Sequence, residues 1–145
     1  MSTLEEQIEI GAPAEATWDQ LHRIADYPRF VEGVLHASAR GSHRAHLDVA
    51  VDGGHREFDA FFTDRGHNRV MTWETVDEPH LRGTFALRPL DERRTQVQVR
   101  IEYEPSAVEE LFGGAPHGFA LASAIERTVR TDLEQLRDLV ERGVR

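Results

Sequence analysis

The chain has 145 residues, a net charge of −9 and no cysteine. Its length predicts a single domain over residues 1–145, large enough to bury a core. The missing cysteines exclude disulfides and thiolate chemistry, and the negative charge, with no basic stripe to offset it, disfavours nucleic-acid binding. No apolar run approaches the ~20 residues of a membrane span, and the N-terminus lacks the features of a signal peptide. We therefore expect a cytoplasmic protein.

The first third of the chain predicts one strand and two short helices. Apolar residues at even spacing over residues 3–10 predict the strand, and Gly11-Ala12-Pro13 ends it. Pro13 then opens a helix over residues 14–25. One face of this helix carries its apolar residues, namely Ala14, Trp18, Leu21 and Ala25. A second, shorter helical turn is predicted around residues 27–31.

From there the apolar residues recur at every second position, which is typical of strands. Six segments show this alternation, at residues 35–40, 43–51, 57–63, 71–75, 83–87 and 95–103. Asp52-Gly53-Gly54 is the tightest hairpin signal between them. The inner face of the predicted sheet carries Leu47, Val49, Phe58, Phe62, Met71, Trp73, Phe85, Leu87, Val97, Val99, Ile101 and Tyr103. The outer face carries Asp48, Asp59, Glu74, Arg82, Arg88, Arg100 and Glu102, so we predict that no charge faces inward.

A long helix closes the chain over residues 116–141, where apolar residues follow each other in steps of three and four. Pro116 suits its first turn, and Gly143 suits a left-handed stop. Its apolar stripe comprises Leu121, Ile125, Val129, Leu133 or Leu136, and Val140. One amphipathic helix and one apolar sheet face need each other. Together they predict an α+β fold in which a curved antiparallel seven-stranded sheet wraps the helix.

Several short motifs lie along the chain within this predicted order of elements. They are Ala12-Pro13-Ala14 with Trp18, the segment 26–34 (DYPRFVEGV), the segment 56–60 (REFDA), Trp73, Gly83-x-Phe85-x-Leu87, Thr95-x-Val97, Tyr103-x-Pro105 and Asp132-Leu133. In order and spacing they resemble the helix-grip fold of the START-like (SRPBCC) superfamily, and within it the bacterial polyketide cyclase/dehydrase group. The resemblance implies a deep apolar cavity between the long helix and the sheet. It implies no fixed chemistry, because some members cyclise or dehydrate polyketides and others only bind lipids or aromatic ligands.

Ten residues are the candidates to line such a cavity: Tyr27, Phe30, Phe58, Phe62, Met71, Trp73, Phe85, Tyr103, His117 and Leu121. Trp73 and Tyr103 are of most interest, because a buried indole N–H or phenol O–H needs a partner that ligand or water would supply. The alternative interpretation of the inner-face residues is a filled core. For Tyr27 and Phe30 the alternative is ordinary packing in the corner between the two short helices.

The sequence predicts neither a metal site nor a cofactor. Its eight histidines are scattered, and His43 and His46 point to opposite faces of a strand. Gly53-Gly54 joins two strands, unlike a phosphate-binding loop, which leads from a strand into a helix. Cyclases of the family carry interior polar groups, including arginine, that grip ketone oxygens, and we can match no inward arginine to that role. The remaining polar candidates are Tyr27, Thr75, Tyr103 and His117, and we assign none of them as catalytic.

Three functions remain open from the sequence. The leading one is binding of a hydrophobic, aromatic or polyketide-like small molecule in an internal cavity, with cyclase or dehydratase activity on that ligand as its catalytic form. The alternatives are a non-catalytic carrier of a lipophilic metabolite and a protein-interaction module with a vestigial cavity. The expected partner is therefore a hydrophobic small molecule, and the protein itself is expected to be a monomer or a homodimer.

Overall fold

The computed structural model describes residues 2–51, 53–66, 69–77, 80–111 and 119–144. The elements in chain order are β1 (Ser2–Ile10), α1 (Ala14–His22), a 3₁₀ helix (Ile24–Arg29), β2 (Val34–Ala39), β3 (Arg44–Val51), β4 (Gly54–Arg65), β5 (Val70–Thr75), β6 (Leu81–Asp91), β7 (Arg94–Tyr103), α2 (Pro105–Leu111) and α3 (Phe119–Gly143). The strands form one seven-stranded sheet in the order β1-β7-β6-β5-β4-β3-β2. Every neighbouring pair is antiparallel. The predicted α+β helix-grip architecture is confirmed.

The long helix packs its apolar stripe against the sheet, as the pattern predicts. Val129, Leu133, Leu136 and Val140 are all buried in the main core cluster. The predicted left-handed stop is wrong, however, because Gly143 is the last residue of α3 and does not adopt a positive φ. The side chain of Arg142 donates a hydrogen bond to the Asp138 carbonyl oxygen, one turn earlier on the helix.

The face that the first helix buries coincides only in part with the predicted one, since Leu21 is buried and Trp18 packs against the core as expected. The buried residues of this helix are Thr17, Gln20 and Leu21, whereas Ala25 is exposed and lies in the 3₁₀ helix. The polar side chains are buried because they find partners. The Thr17 hydroxyl donates to the Pro13 carbonyl oxygen at 3.3 Å, and the Gln20 amide donates to Asp26 at 3.1 Å. Apolar spacing alone could not reveal a face built on paired polar groups.

The core is tight at one end of the sheet and open at the other. The tight end lies under the C-terminal half of α3, where Ile10, Leu87, Val97 and Val140 are almost completely buried. Toward the other end, the sheet residues Val49 and Tyr103 and the α3 residue Ile125 line a cavity instead. No helix in the described part of the chain is long and apolar enough to cross a membrane.

Candidate functional site

A cavity of about 490 Å³ lies between the concave face of the sheet and α3. The sheet contributes aromatic and aliphatic side chains, α3 contributes one flank of its apolar stripe, and the 3₁₀ helix and the turn after it close a third side. Small-molecule sites in proteins commonly have volumes of roughly 300–1,000 Å³ and mostly apolar walls with a few polar groups. Both the size and the composition of this cavity fall within that description.

The structure brings most of the predicted site residues together. Eight of them line the cavity, namely Tyr27, Phe30, Phe58, Phe62, Met71, Trp73, Phe85 and Tyr103. His117 lies outside the described residues, and the side chain of Leu121 is likewise not described. The strand alternation identified the sheet residues among these eight. Side chains alternate between the two faces of a sheet, so an apolar face determines which residues of each strand point inward. Their contact with a ligand stays a prediction.

Trp73 owes its position in the wall to a glycine on the neighbouring strand. Trp73 on β5 is directly opposite Gly83 on β6, and a methyl group at Gly83 would overlap three atoms of the indole ring. The ring therefore lies against the backbone of β6, in space that only glycine leaves open. Trp73 is partly buried, and its indole nitrogen makes no hydrogen bond to another described residue.

The two tyrosines of the wall differ in how their hydroxyl groups are used. Tyr27 donates its O–H to the Leu21 carbonyl oxygen at 2.7 Å. Burial of this hydroxyl, reinforced by the charge of Asp64, raises its pKa above the usual value. Tyr27 therefore braces the helix corner and is not free to donate a proton to a ligand. The hydroxyl of Tyr103 makes no hydrogen bond to any described residue, although the side chain is buried and lines the cavity.

Thr75, another predicted polar candidate, also has a structural task. Its hydroxyl accepts a hydrogen bond from the Leu81 backbone N–H at 2.9 Å and lies 3.4 Å from the Leu81 carbonyl oxygen. These contacts tie the end of β5 to the start of β6 at the rim of the cavity. Thr75 thus shapes the wall through the backbone around it.

The polar residue that strand alternation did not reveal is Asp132, on α3. Asp132 lines the cavity and is partly buried there, so the prediction that no charge faces inward is wrong. The Asp132 Oδ1 accepts a hydrogen bond from the Glu32 backbone N–H at 2.9 Å. Burial raises the pKa of the Asp132 carboxyl from 3.8 to about 6, although this hydrogen bond opposes the shift. The carboxyl of Asp132 therefore changes between its protonated and ionised forms around pH 6.

The sequence did contain a signal for Asp132. It lies three residues after Val129 and four before Leu136, which places it on the apolar stripe of the helix. Alternation along the strands carries no information about a charge on the helix. Asp132 also helps to hold the turn at Glu32 and Gly33, since it accepts a hydrogen bond from the Glu32 N–H. The carbonyl oxygen of the next residue of the turn, Gly33, accepts a hydrogen bond from the Ala50 N–H of β3 at 2.7 Å. The turn at Glu32 and Gly33 is thus held by α3 on one side and by β3 on the other.

Arg56 lies at the rim and not in the wall. It precedes Phe58 by two residues and shares its face of β4, and its guanidinium carbon lies 5.2 Å from the centre of the Phe58 ring. The side chain is exposed. Among the described residues that line the cavity there is no arginine and no histidine.

The outer face of the sheet holds ion pairs away from the cavity. His46 there makes hydrogen bonds to Asp59 at 2.8 Å and to Glu57 at 3.0 Å, one through each ring nitrogen, and these raise the pKa of the imidazole. Across residues 2–51, 53–66, 69–77, 80–111 and 119–144, no group of three or more His, Asp or Glu side chains is placed to hold a metal ion.

Comparison with known proteins connects this geometry to a family. The model of the family described as polyketide cyclase/dehydrase and lipid transport matches residues 1–141. A protein of Streptomyces lincolnensis, described as an uncharacterized 17.2 kDa protein in the melC2-rnhH intergenic region, is 30% identical over 142 residues. The aligned residues make up 97% of this chain and 91% of that protein.

Two solved structures share the fold at low identity. The Zhui aromatase/cyclase from Streptomyces sp. R1128 superposes with a TM-score of 0.77 at 20% identity, over 99% of this chain and 96% of that one. A START superfamily protein from Mycobacterium smegmatis superposes with a TM-score of 0.69 at 18% identity, over 97% of this chain and 95% of that one. Both therefore have the helix gripped by a curved sheet that the present chain has.

Proposed function

Because the chain belongs to the polyketide cyclase/dehydrase and lipid transport family, a START-like group, we propose that it binds a hydrophobic, aromatic or polyketide-like small molecule in the cavity under α3. The single observation that carries the proposal is the cavity of about 490 Å³. Filled protein cores are packed with few voids larger than a water molecule, so a space of this size is not ordinary packing.

The wall suits a flat, apolar ligand. Phe58, Phe85 and Trp73 provide ring faces and edges, and aromatic pairs in offset or edge-to-face arrangements contribute about 0.5–1.5 kcal/mol beyond simple burial. Apolar surface that a ligand removes from water contributes about 25 cal/mol per Å² before the costs of association. The few polar groups in the wall, chiefly Tyr103 and Asp132, would orient such a ligand.

Binding can be measured with N-phenyl-1-naphthylamine, a neutral apolar probe whose emission rises in apolar surroundings. We expect saturable binding together with quenching of tryptophan emission, because Trp73 lies in the wall. The other tryptophan, Trp18, packs on His22 with ring centres 4.5 Å apart and is not a cavity residue. A Trp18→Phe variant should therefore keep most of the quenching. Absence of saturable binding to the folded chain would refute the proposed function.

A blocking substitution gives a sharper test. Ala60 is buried in the cavity wall, so Ala60→Phe should fill part of the space and weaken probe binding at least about tenfold. Ala86 is on β6 beside the inward Phe85 and points to the opposite face, which makes Ala86→Phe the matched control. Circular dichroism would verify that both variants fold. Equal affinity of the two variants would show that the probe binds elsewhere.

A second candidate function is cyclase or dehydratase activity on the bound ligand. It is favoured by Asp132, since a carboxyl group with a pKa of about 6 can give or take a proton near neutral pH. A similar structure, the Zhui protein, is described as an aromatase/cyclase. Incubation with a poly-β-ketone separates the alternatives. Conversion that Asp132→Asn abolishes supports the enzyme, whereas binding without conversion supports a carrier.

A further inference from the structure

We propose that Asp132 selects ligands of the cavity by charge: its carboxylate binds a hydroxyl or ammonium group of the ligand and disfavours a ligand carboxylate at that point. The inference rests on the proposed function, because it concerns the polar end of a ligand in the same cavity. It differs from a ketone-gripping site, in which a cation would face the ligand.

One of the two carboxylate oxygens of Asp132 accepts no hydrogen bond from a described residue. The Oδ1 atom accepts the hydrogen bond from the Glu32 N–H at 2.9 Å, and the Oδ2 atom makes no hydrogen bond to a described residue. In the described part of the chain, every buried side-chain oxygen or nitrogen that is shielded from solvent has a hydrogen-bond partner. The Oδ2 atom is therefore accessible, and the group it belongs to lines the cavity. We infer that a ligand donor in the cavity binds this oxygen while Oδ1 keeps its bond to Glu32.

The surroundings of Asp132 do not neutralise its charge. The residues one turn away on α3 are Thr128, Val129, Gln135 and Leu136, none of which is a cation. The turn after the 3₁₀ helix adds Glu32, whose negative charge, in addition to burial, helps to raise the pKa of Asp132, and the described sheet residues that line the cavity add only the hydroxyls of Thr75 and Tyr103. Tyr27 faces the cavity with its hydroxyl already bonded to Leu21. Arg56 contacts Phe58 at the rim.

These conditions favour donors over acceptors in the ligand. A carboxylate beside apolar walls is poorly solvated, and a hydrogen bond from a ligand hydroxyl restores part of the lost solvation. An ammonium group adds charge attraction, whereas a ligand carboxylate would be repelled by the Asp132 carboxylate. The expected ligand class is thus aromatic molecules whose polar substituents are phenols or amines.

Four naphthalene derivatives of similar size test this selection: 2-naphthol, 2-methoxynaphthalene, 2-naphthylmethylamine and 2-naphthoate. Titration calorimetry at pH 7.5 should show the amine binding at least about tenfold more tightly than the naphthoate. The naphthol should bind severalfold more tightly than its methyl ether, which has no donor. In Asp132→Asn both differences should shrink to about twofold or less, because the amide keeps the size and the Glu32 contact but loses the charge.

Asp138→Asn is the matched control, since Asp138 is exposed on the same helix and the substitution changes the net charge equally. It should leave the ranking of the four compounds unchanged. A second arm needs no substitution: lowering the pH from 7.5 to 5 should reduce the preference for the amine in the unaltered chain, because Asp132 becomes protonated. In Asp132→Asn the preference should respond much less to pH. The arm on the unaltered chain holds even if the variant folds poorly.

The outcomes separate the two proposals. If 2-naphthoate binds the unaltered chain as tightly as the amine does, charge selection is wrong while ligand binding in the cavity stands. Charge selection by Asp132 is equally wrong if Asp132→Asn and Asp138→Asn alter the ranking to the same extent. If N-phenyl-1-naphthylamine binds but none of the four compounds does, the inference fails and the proposed function stands; if the probe does not bind either, both fail.

Discussion

At the scale of single residues, we expect the partly buried carboxylate of Asp132 to reduce the stability of the folded chain at neutral pH. A carboxyl whose pKa is higher in the folded state than in the unfolded state binds protons more tightly when folded, so stability falls as pH rises from about 4 to about 6. Asp132→Asn removes this penalty and keeps the acceptor for Glu32. Since the group is partly exposed, solvent screening reduces the gain, and we expect stabilisation on the order of 1 kcal/mol at pH 7.5.

Urea denaturation at pH 7.5 and at pH 5 would measure this effect. The gain should be smaller at pH 5, where most of the Asp132 carboxyl is already protonated in the folded chain. A variant that is less stable than the unaltered chain at pH 7.5 would mean that the ionised Asp132 has a stabilising partner. Asp138→Asn again supplies the control for a change in total charge.

The contact between Trp73 and Gly83 gives a second prediction at this scale. In Gly83→Ala the added methyl group overlaps the indole ring, so we expect a loss of about 1–3 kcal/mol, the usual range for overpacking. Trp73→Leu should make room for that methyl group. In a double-mutant cycle followed by chemical denaturation, the double variant should therefore lose less than the sum of the single losses. Strict additivity would show that the ring can move aside freely.

At the scale of elements, α3 should be energetically uneven along its length. Val140 lies in the tight core, while Val129 lines the cavity, and both are buried valines on the same helix. Truncation to alanine removes packing contacts on all sides of Val140, whereas Val129 already has the cavity on one side and loses fewer contacts. We expect Val140→Ala to cost about 2 kcal/mol and Val129→Ala about 1 kcal/mol or less, as chemical denaturation would measure. Equal costs would indicate that the wall around Val129 is packed like the core.

The elements themselves were largely predictable, and the reason is periodicity. Alternation with a period of two and a stripe with a period of 3.6 cannot be exchanged, so they determined the sheet and the long helix. Predictions failed where pairing of polar groups decided the outcome. Thr17 and Gln20 are buried on α1 because their side chains are hydrogen-bonded, and Asp132 lies in the cavity wall while bound to a backbone N–H. The helix spacing placed Asp132 on the apolar stripe, but spacing does not tell which polar side chain has a hydrogen-bond partner that allows it to be buried.

At the scale of the whole molecule, net charge and Asp132 together determine how salt affects binding. A cavity with no inward charge, as the strand pattern predicted, would bind ligands with weak salt dependence, and the Asp132 carboxyl in the wall changes that expectation. Binding of 2-naphthylmethylamine should weaken severalfold as ionic strength rises from about 0.02 M to about 0.5 M, since salt screens its attraction to a chain of net charge −9. Binding of neutral 2-naphthol should change less than about twofold. Calorimetry at both ionic strengths would measure this, and equal salt responses would count against a charged wall.

The division of the fold into a tight end and an open end has a consequence for how such a protein can change over time. Substitutions around Ile10, Val97 and Val140 act mainly on whether the chain folds, because that end is fully packed. Substitutions at Val49 or Ile125 alter the shape of the cavity with less effect on folding. Folding and the shape of the cavity are therefore partly separate targets of selection. A scaffold arranged in this way can acquire new ligands by a few changes at one end while the other end preserves its architecture.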